Sequence, residues 1–129
     1  MNLFPGMVKI VMMTFVPADV APFIRQQLPD LGERVPDGAN VYNIMNLVRD
    51  YACEMATSNN FQRLKDCFTA AEALYEKGSG VVRCAVENVF IYSLSRMLMN
   101  SPQTRDELGT ILPGSLRSVY MSQVMARGY

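Results

Sequence analysis

The sequence predicts an all-α fold, a single-domain antiparallel helical bundle of about five to six helices around a central buried helix at 79–98. That segment is apolar on almost every side and lies between Gly78 and Pro102, and helices of this kind pack in the middle of soluble proteins. Two amphipathic segments, 41–57 and 61–77, precede it and are joined by only three residues, which predicts an antiparallel pair.

The N-terminal residues 1–13 are expected to form an arm packed on the body, or to be a mis-annotated start with Met12 or Met13 as the true initiator. The apolar run at 10–16 is too short to cross a membrane, and the charge pattern and cleavage site of a signal peptide are missing. We therefore expect one helical domain over 1–129.

The first helix is predicted to be capped by Asp19, to carry Pro22 in its first turn and to end at Pro29. Residues 29–39 are rich in turn formers and predict the longest loop. Asn40 is the predicted cap of the next helix.

Apolar residues at spacings of three and four define the two helices of the antiparallel pair. In 41–57 they are Val41, Ile44, Met45, Val48, Ala52 and Met55, and in 61–77 they are Phe61, Leu64, Cys67, Phe68, Ala71, Leu74 and Tyr75. After the central helix, Ser101 and Pro102 predict a short helix to about Leu108, and Ser115 predicts the start of a last helix.

Composition excludes several classes of function. Lys plus Arg and Asp plus Glu number twelve each, and a nucleic-acid binder usually has a basic excess. The chain has no His, which removes the commonest general base and metal ligand. Cys53, Cys67 and Cys84 form no C-x-x-C pair and are read as buried free thiols of a cytoplasmic protein. We expect no catalytic residue, no cofactor and no metal.

The polar side of the 41–57 helix is the first candidate binding surface. Its members are Asn43, Asn46, Arg49, Asp50 and Glu54. Two carboxylates one turn apart, Asp50 and Glu54, are also compatible with a metal or an acid–base pair, but an ordinary solvated face explains them better.

Glu87 is the second candidate, because it interrupts the apolar helix. A carboxylate in such a place needs a partner or a shifted pKa. Arg83 is four residues earlier and is the predicted ion-pair partner. The alternative is a polar notch that binds a ligand. A third surface is the methionine-rich end of the chain: Met97, Met99, Met121 and Met125.

Four stretches carry a resemblance: 59–65, 70–78, 86–90 and 107–116. Together they resemble an uncharacterised bacterial family of small all-helical proteins, some of which look like immunity proteins of toxin systems. The resemblance covers roughly 14–120. It implies a protein inhibitor and offers no catalytic residues to carry over.

The function expected from the sequence is that of a non-enzymatic module that binds another protein, in its narrowest version an immunity-like inhibitor of a bacterial toxin or effector. One alternative is a homodimeric structural or regulatory protein, and another is a small-ligand binder with its notch at Glu87. Neither nucleic acid nor a membrane is an expected partner.

Overall fold

The first helix begins earlier than its sequence suggests. In the computed structural model, which describes residues 14–93 and 112–126, α1 spans Pro17–Gln27. Val16 occupies the cap position, and its N–H donates to the carboxylate of Asp19 at 3.0 Å. Asp19 is thus the third residue of α1, and its carboxylate accepts a hydrogen bond from the residue before the helix. The prediction that Asp19 itself occupies the cap position is therefore wrong.

Two more helices follow, and the first of them lies inside the predicted loop 29–39, so that prediction is wrong for 29–32. Pro29 opens the short helix α2, Pro29–Gly32, directly after α1 ends. Asn40 then accepts from the Asn43 N–H at 2.9 Å and begins α3, Val41–Thr57. The side-chain oxygen replaces an acceptor that the first helical turn lacks.

A hairpin of equal arms forms the centre of the molecule. Ser58, Asn59 and Asn60 connect α3 to α4, Phe61–Lys77, and Asn59 adopts a positive φ of 59° there. Asn60 caps α4 by accepting from the Arg63 N–H at 3.2 Å. The predicted bounds of both arms are confirmed, as is the all-α single-domain bundle.

The predicted central helix is only partly regular. It runs as α5, Gly80–Ala85, and widens into a π-helical segment, Val86–Ile91. One side is buried, formed by Val82, Ala85, Val86, Phe90 and Ile91. Val81 and Tyr92 are 52 % and 44 % exposed, so the described part of the predicted central helix is buried on one side only. Apolar side chains also cover much of a protein's surface, so an apolar sequence does not require burial on every side.

The last described helix is α6, Gly114–Ala126. It packs on α4 and on the π-helical segment, while α3 contacts α1, α2, α4, α5 and the π-helical segment. The core lies between these helices, with Phe68 of α4 meeting Phe90 edge-on at 6.0 Å between ring centres. The predictions for 1–13, 94–98 and 102–108 lie outside the described residues.

The extended residues before α1 are tied to the link between α4 and α5. Phe15 donates to the Lys77 carbonyl at 2.7 Å and accepts from the Ser79 N–H at 2.8 Å, an isolated parallel bridge opposite Gly78. The Phe15 ring packs against Phe23, with 4.7 Å between ring centres. Among the described residues, none of the helices is long and apolar enough to cross a membrane.

Candidate functional site

Glu87 lies in the π-helical segment and is half-buried. Its carboxylate oxygen Oε1 accepts from the Tyr75 hydroxyl at 3.1 Å. Tyr75 comes from the C-terminal half of α4, so the bond joins two elements that lie next to each other in the bundle. A neutral donor satisfies one oxygen of the carboxylate and leaves its negative charge in place.

Arg83 binds Tyr75 and not Glu87. Its guanidinium carbon lies 4.8 Å from the centre of the Tyr75 ring, in cation–π geometry. The predicted ion pair with Glu87 is absent from the salt bridges of the described residues. The spacing of four that aligns side chains in an α-helix does not continue into a π-helical turn, where residues five apart are hydrogen-bonded neighbours.

One face of α6 stands opposite Glu87. Ser115, Ser118 and Ser122 follow one another at spacings of three and four and therefore share this face with Val119. Between it, α4 and the π-helical segment lies an open cleft of about 520 Å³. The described residues that line it are Tyr75, Glu87, Ser115, Ser118, Val119, Ser122 and Gln123.

Hydrogen bonds at both ends hold α6 beside this cleft. At its start, the Ser115 N–H donates to Glu72 at 3.3 Å and the Ser115 hydroxyl donates to Glu76 at 2.8 Å. Further along, the Gln123 amide donates to the backbone carbonyl of Glu87 at 2.9 Å. That carbonyl also accepts from the N–H of Tyr92, five residues on, as π-helical geometry requires.

Most residues that line the cleft in the described part have polar side chains, and Glu87 is the one carboxylate among them. Ser118 and Ser122 are exposed, and neither hydroxyl has a hydrogen-bond partner within the part of the chain that the structure describes. Glu87 Oε2 likewise receives no donor from the described residues. The arrangement therefore presents three oxygen acceptors towards an incoming group.

The polar side of α3 is a separate surface. Asn43, Asp50 and Glu54 are exposed, and Asn46 and Arg49 are half-buried. Arg49 pairs with Asp50 at 2.8 Å, and Glu54 pairs with Arg34 at 2.9 Å. None of these five residues lines the Glu87 cleft, so the structure does not bring the two predicted candidates together.

A second, wider cleft of about 760 Å³ lies at the C-terminal end of α3. It is lined by Asp50, Cys53, Glu54, Met55, Thr57 and Ser58. Burial raises the pKa of the Cys53 thiol, which disfavours the thiolate. Asp50 and Glu54, the two carboxylates of this cleft, already pair with arginines. They are therefore less available to a ligand than the carboxylate of Glu87 in the first cleft.

The three cysteines differ in exposure. Cys67 is fully buried, Cys53 is half-buried and Cys84 is exposed, so the prediction of three buried thiols is wrong for Cys84. Desolvation raises the pKa of Cys67 to about 12. Among the described residues, no group of three or more Cys, Asp or Glu side chains is placed to hold a metal ion.

Several residues of the cleft were not predicted. Tyr75 is assigned to the core by its spacing, and the serines of α6 carry no motif. A usable signal was the spacing of Ser115, Ser118 and Ser122, which forms a hydroxyl stripe on a helix. Met121 of the methionine-rich surface is 48 % exposed, whereas Met97 and Met99 and the side chain of Met125 lie outside the described part.

Comparison with known proteins gives one match. Residues 21–126 match the model of a family described as Domain of unknown function (DUF7674). Neither the curated proteins nor the solved structures give a match. The matched range includes α3, α4, the π-helical segment and α6, and hence every residue of the cleft.

Proposed function

We propose that this chain, which belongs to the DUF7674 family of unknown function, is a non-enzymatic module that binds another protein through the Glu87 cleft. The observation that carries the proposal is the half-buried Glu87 carboxylate, which keeps one oxygen without a donor beside two unpaired serine hydroxyls in the described part. Polar groups placed in a concave site give recognition its orientation and specificity.

The shape of the cleft favours a protein partner over a small molecule. Pockets for small molecules bury most of the ligand surface. Here the cleft is open, and Ser118 and Ser122 on its α6 side are exposed. A side chain presented on the surface of a partner can enter such a cleft while the surrounding surfaces supply the rest of the contact area.

The chemistry of the cleft favours binding over catalysis. A serine nucleophile needs a neighbouring base, and the chain contains no His to supply an imidazole. The Ser115 hydroxyl is bonded to the Glu76 carboxylate at 2.8 Å, at the start of α6. The two titratable residues in the described lining, Glu87 and Tyr75, are bonded to each other at 3.1 Å. This pair is suited to holding a partner's group in place.

Two narrower proposals stay open. The immunity-like version adds that the partner is a bacterial toxin or effector, and it predicts that co-expression protects cells from the product of the gene immediately upstream. The homodimer version is favoured by the exposed Val81 and Tyr92 on α5 and its continuation. It predicts a mass that rises with concentration in sedimentation equilibrium.

The test compares tagged variants as bait in lysate from the native cells. Ser122→Trp fills the Glu87 cleft, and Asn43→Trp places the same bulk on the exposed polar side of α3. Both positions are exposed, so both variants are expected to fold, which far-ultraviolet circular dichroism checks. We expect a stoichiometric partner that is lost with S122W and kept with N43W. Loss with N43W alone would move the binding surface to α3.

A further inference from the structure

We infer that the group bound in the Glu87 cleft is an alkylammonium, the side chain of a lysine on the partner protein. This inference rests on the proposed function, because it names the chemistry of the same site. It follows from three properties of the cleft. Some of its oxygen acceptors receive no donor from the described residues, no described cation pairs with Glu87, and one oxygen of the Glu87 carboxylate already holds the Tyr75 hydroxyl.

The unmet acceptors come from two elements. Tyr75 occupies Glu87 Oε1, and Oε2 receives no donor from the described residues. The hydroxyls of Ser118 and Ser122 line the same cleft and also have no partner there. A lysine ammonium carries three donors and no acceptor, which matches three oxygens.

Glu87 forms no ion pair with any described residue, whereas four other carboxylates of the chain do. The described ion pairs join Arg25 to Asp37, Arg34 to Glu54, Arg49 to Asp50 and Arg63 to Asp30. Among the described residues, no Lys or Arg lines the Glu87 cleft. Arg83, the nearest cation along the helix, lies over the Tyr75 ring. No described residue therefore compensates the charge that Glu87 carries into the cleft, which favours a cationic group.

The geometry selects ammonium over guanidinium. Arginine recognises a carboxylate best when its planar fork meets both oxygens at once. Because Oε1 already accepts from Tyr75 at 3.1 Å, a bidentate arginine would have to share that oxygen with the tyrosine hydroxyl. A lysine ammonium acts as a compact point charge and needs only one carboxylate oxygen, with hydroxyls completing its shell.

The experiment titrates three matched amides into the isotope-labelled full chain and follows backbone amide shifts. The probes are Nα-acetyl-lysine amide, Nα-acetyl-arginine amide and the uncharged Nα-acetyl-norleucine amide. We expect saturable shifts at Glu87, Ser118 and Ser122 with the lysine probe, weaker binding of the arginine probe and none of the norleucine probe. Equal or tighter binding of either alternative would overturn the inference.

Two variants complete the test. Glu87→Gln keeps the shape and an acceptor for Tyr75 but removes the charge, and we expect it to weaken lysine binding about tenfold or more. Glu54→Gln removes the same charge on α3 and should leave binding unchanged. If E87Q binds the lysine probe as the wild type does, the inference is wrong.

The inference and the proposed function fail in different ways. The lysine probe could bind in a Glu87-dependent way while S122W still captures the partner. The cleft would then be an ammonium site but would not be the surface that binds the partner protein. Alternatively, S122W could lose the partner while E87Q keeps it and the lysine probe does not bind. The cleft would then be the partner-binding surface, but the bound group would not be a lysine.

Discussion

Tyr75 holds Glu87 and Arg83 through two different parts of its side chain. Its hydroxyl donates to Glu87 Oε1 at 3.1 Å, and its ring lies 4.8 Å from the Arg83 guanidinium. The tyrosine thus separates a carboxylate from the arginine that sequence spacing assigns to it. This arrangement leaves the carboxylate charge available at the cleft and fixes its position from α4.

Replacing Tyr75 with Phe removes the hydroxyl and retains the ring. We expect Tyr75→Phe to lower the free energy of unfolding by about 1 kcal/mol, because Glu87 loses its donor while the cation–π contact remains. Urea unfolding measures the change. Tyr42→Phe is the control, since Tyr42 is 40 % exposed and should change stability by less than about 0.5 kcal/mol. If the two substitutions changed the free energy of unfolding equally, the Tyr75–Glu87 hydrogen bond would not contribute to stability.

Two substitutions at Glu87 distinguish a hydrogen bond from an ion pair. Glu87→Ala removes the acceptor for Tyr75, and we expect a loss of about 1–2 kcal/mol in the free energy of unfolding. Glu87→Gln retains an acceptor and should lose less than half as much. If E87Q were as costly as E87A, the charge itself would stabilise the fold, as the predicted pair with Arg83 requires. Chemical unfolding of both variants in one buffer decides.

Gly78 and Gly80 form a matched pair of glycines around the start of α5. A Cβ at Gly78 would clash with the Leu74 carbonyl oxygen and would lie 2.7 Å from a Val82 methyl carbon. Gly78→Ala should therefore cost about 1–3 kcal/mol through overpacking. Gly80 has no atom within 4 Å of such a Cβ, so Gly80→Ala should be neutral or stabilising by up to about 1 kcal/mol. Thermal unfolding that ranks the pair in the opposite order would contradict this packing.

The buried thiol of Cys67 makes stability depend on alkaline pH. Desolvation raises its pKa from 9.0 to about 12, so the unfolded chain releases this proton first as the pH increases. The contribution is complete below pH 9.0 and is lost as the pH rises towards 12, at up to about 1.4 kcal/mol per pH unit. Unfolding of wild type and Cys67→Ala at several pH values measures it. Parallel curves for the two proteins above pH 9.0 would contradict the raised pKa.

The α3–α4 hairpin could be predicted in full because local and global signals agree there. Asparagine caps stand directly before two strong apolar stripes, and the connection is too short for anything but a return of the chain. The start of α1 could not be predicted as well, because Val16 has no capping side chain and Asp19 binds back to it. Local sequence allows Asp19 either role.

The residues of the cleft could not be predicted from any single segment of the sequence. Tyr75, Glu87 and Ser122 are far apart in sequence and meet only through the packing of α4, the π-helical segment and α6. Sequence analysis did select Glu87, since a carboxylate in an apolar helix is conspicuous. It assigned the wrong partner because periodicity arguments assume regular α geometry, and the wider turn at Val86–Ile91 breaks that assumption.

The bridge between Phe15 and Gly78 also bears on the order in which the chain folds. Its two hydrogen bonds close a loop that contains α1, α2, α3 and α4, whereas the α3–α4 hairpin closes only a three-residue turn. Because the entropic cost of closure increases with loop length, contacts of this range form after local ones. We therefore expect the bridge to form after the α3–α4 hairpin during refolding, which pulse-labelled exchange of the Phe15 and Ser79 amide hydrogens measures.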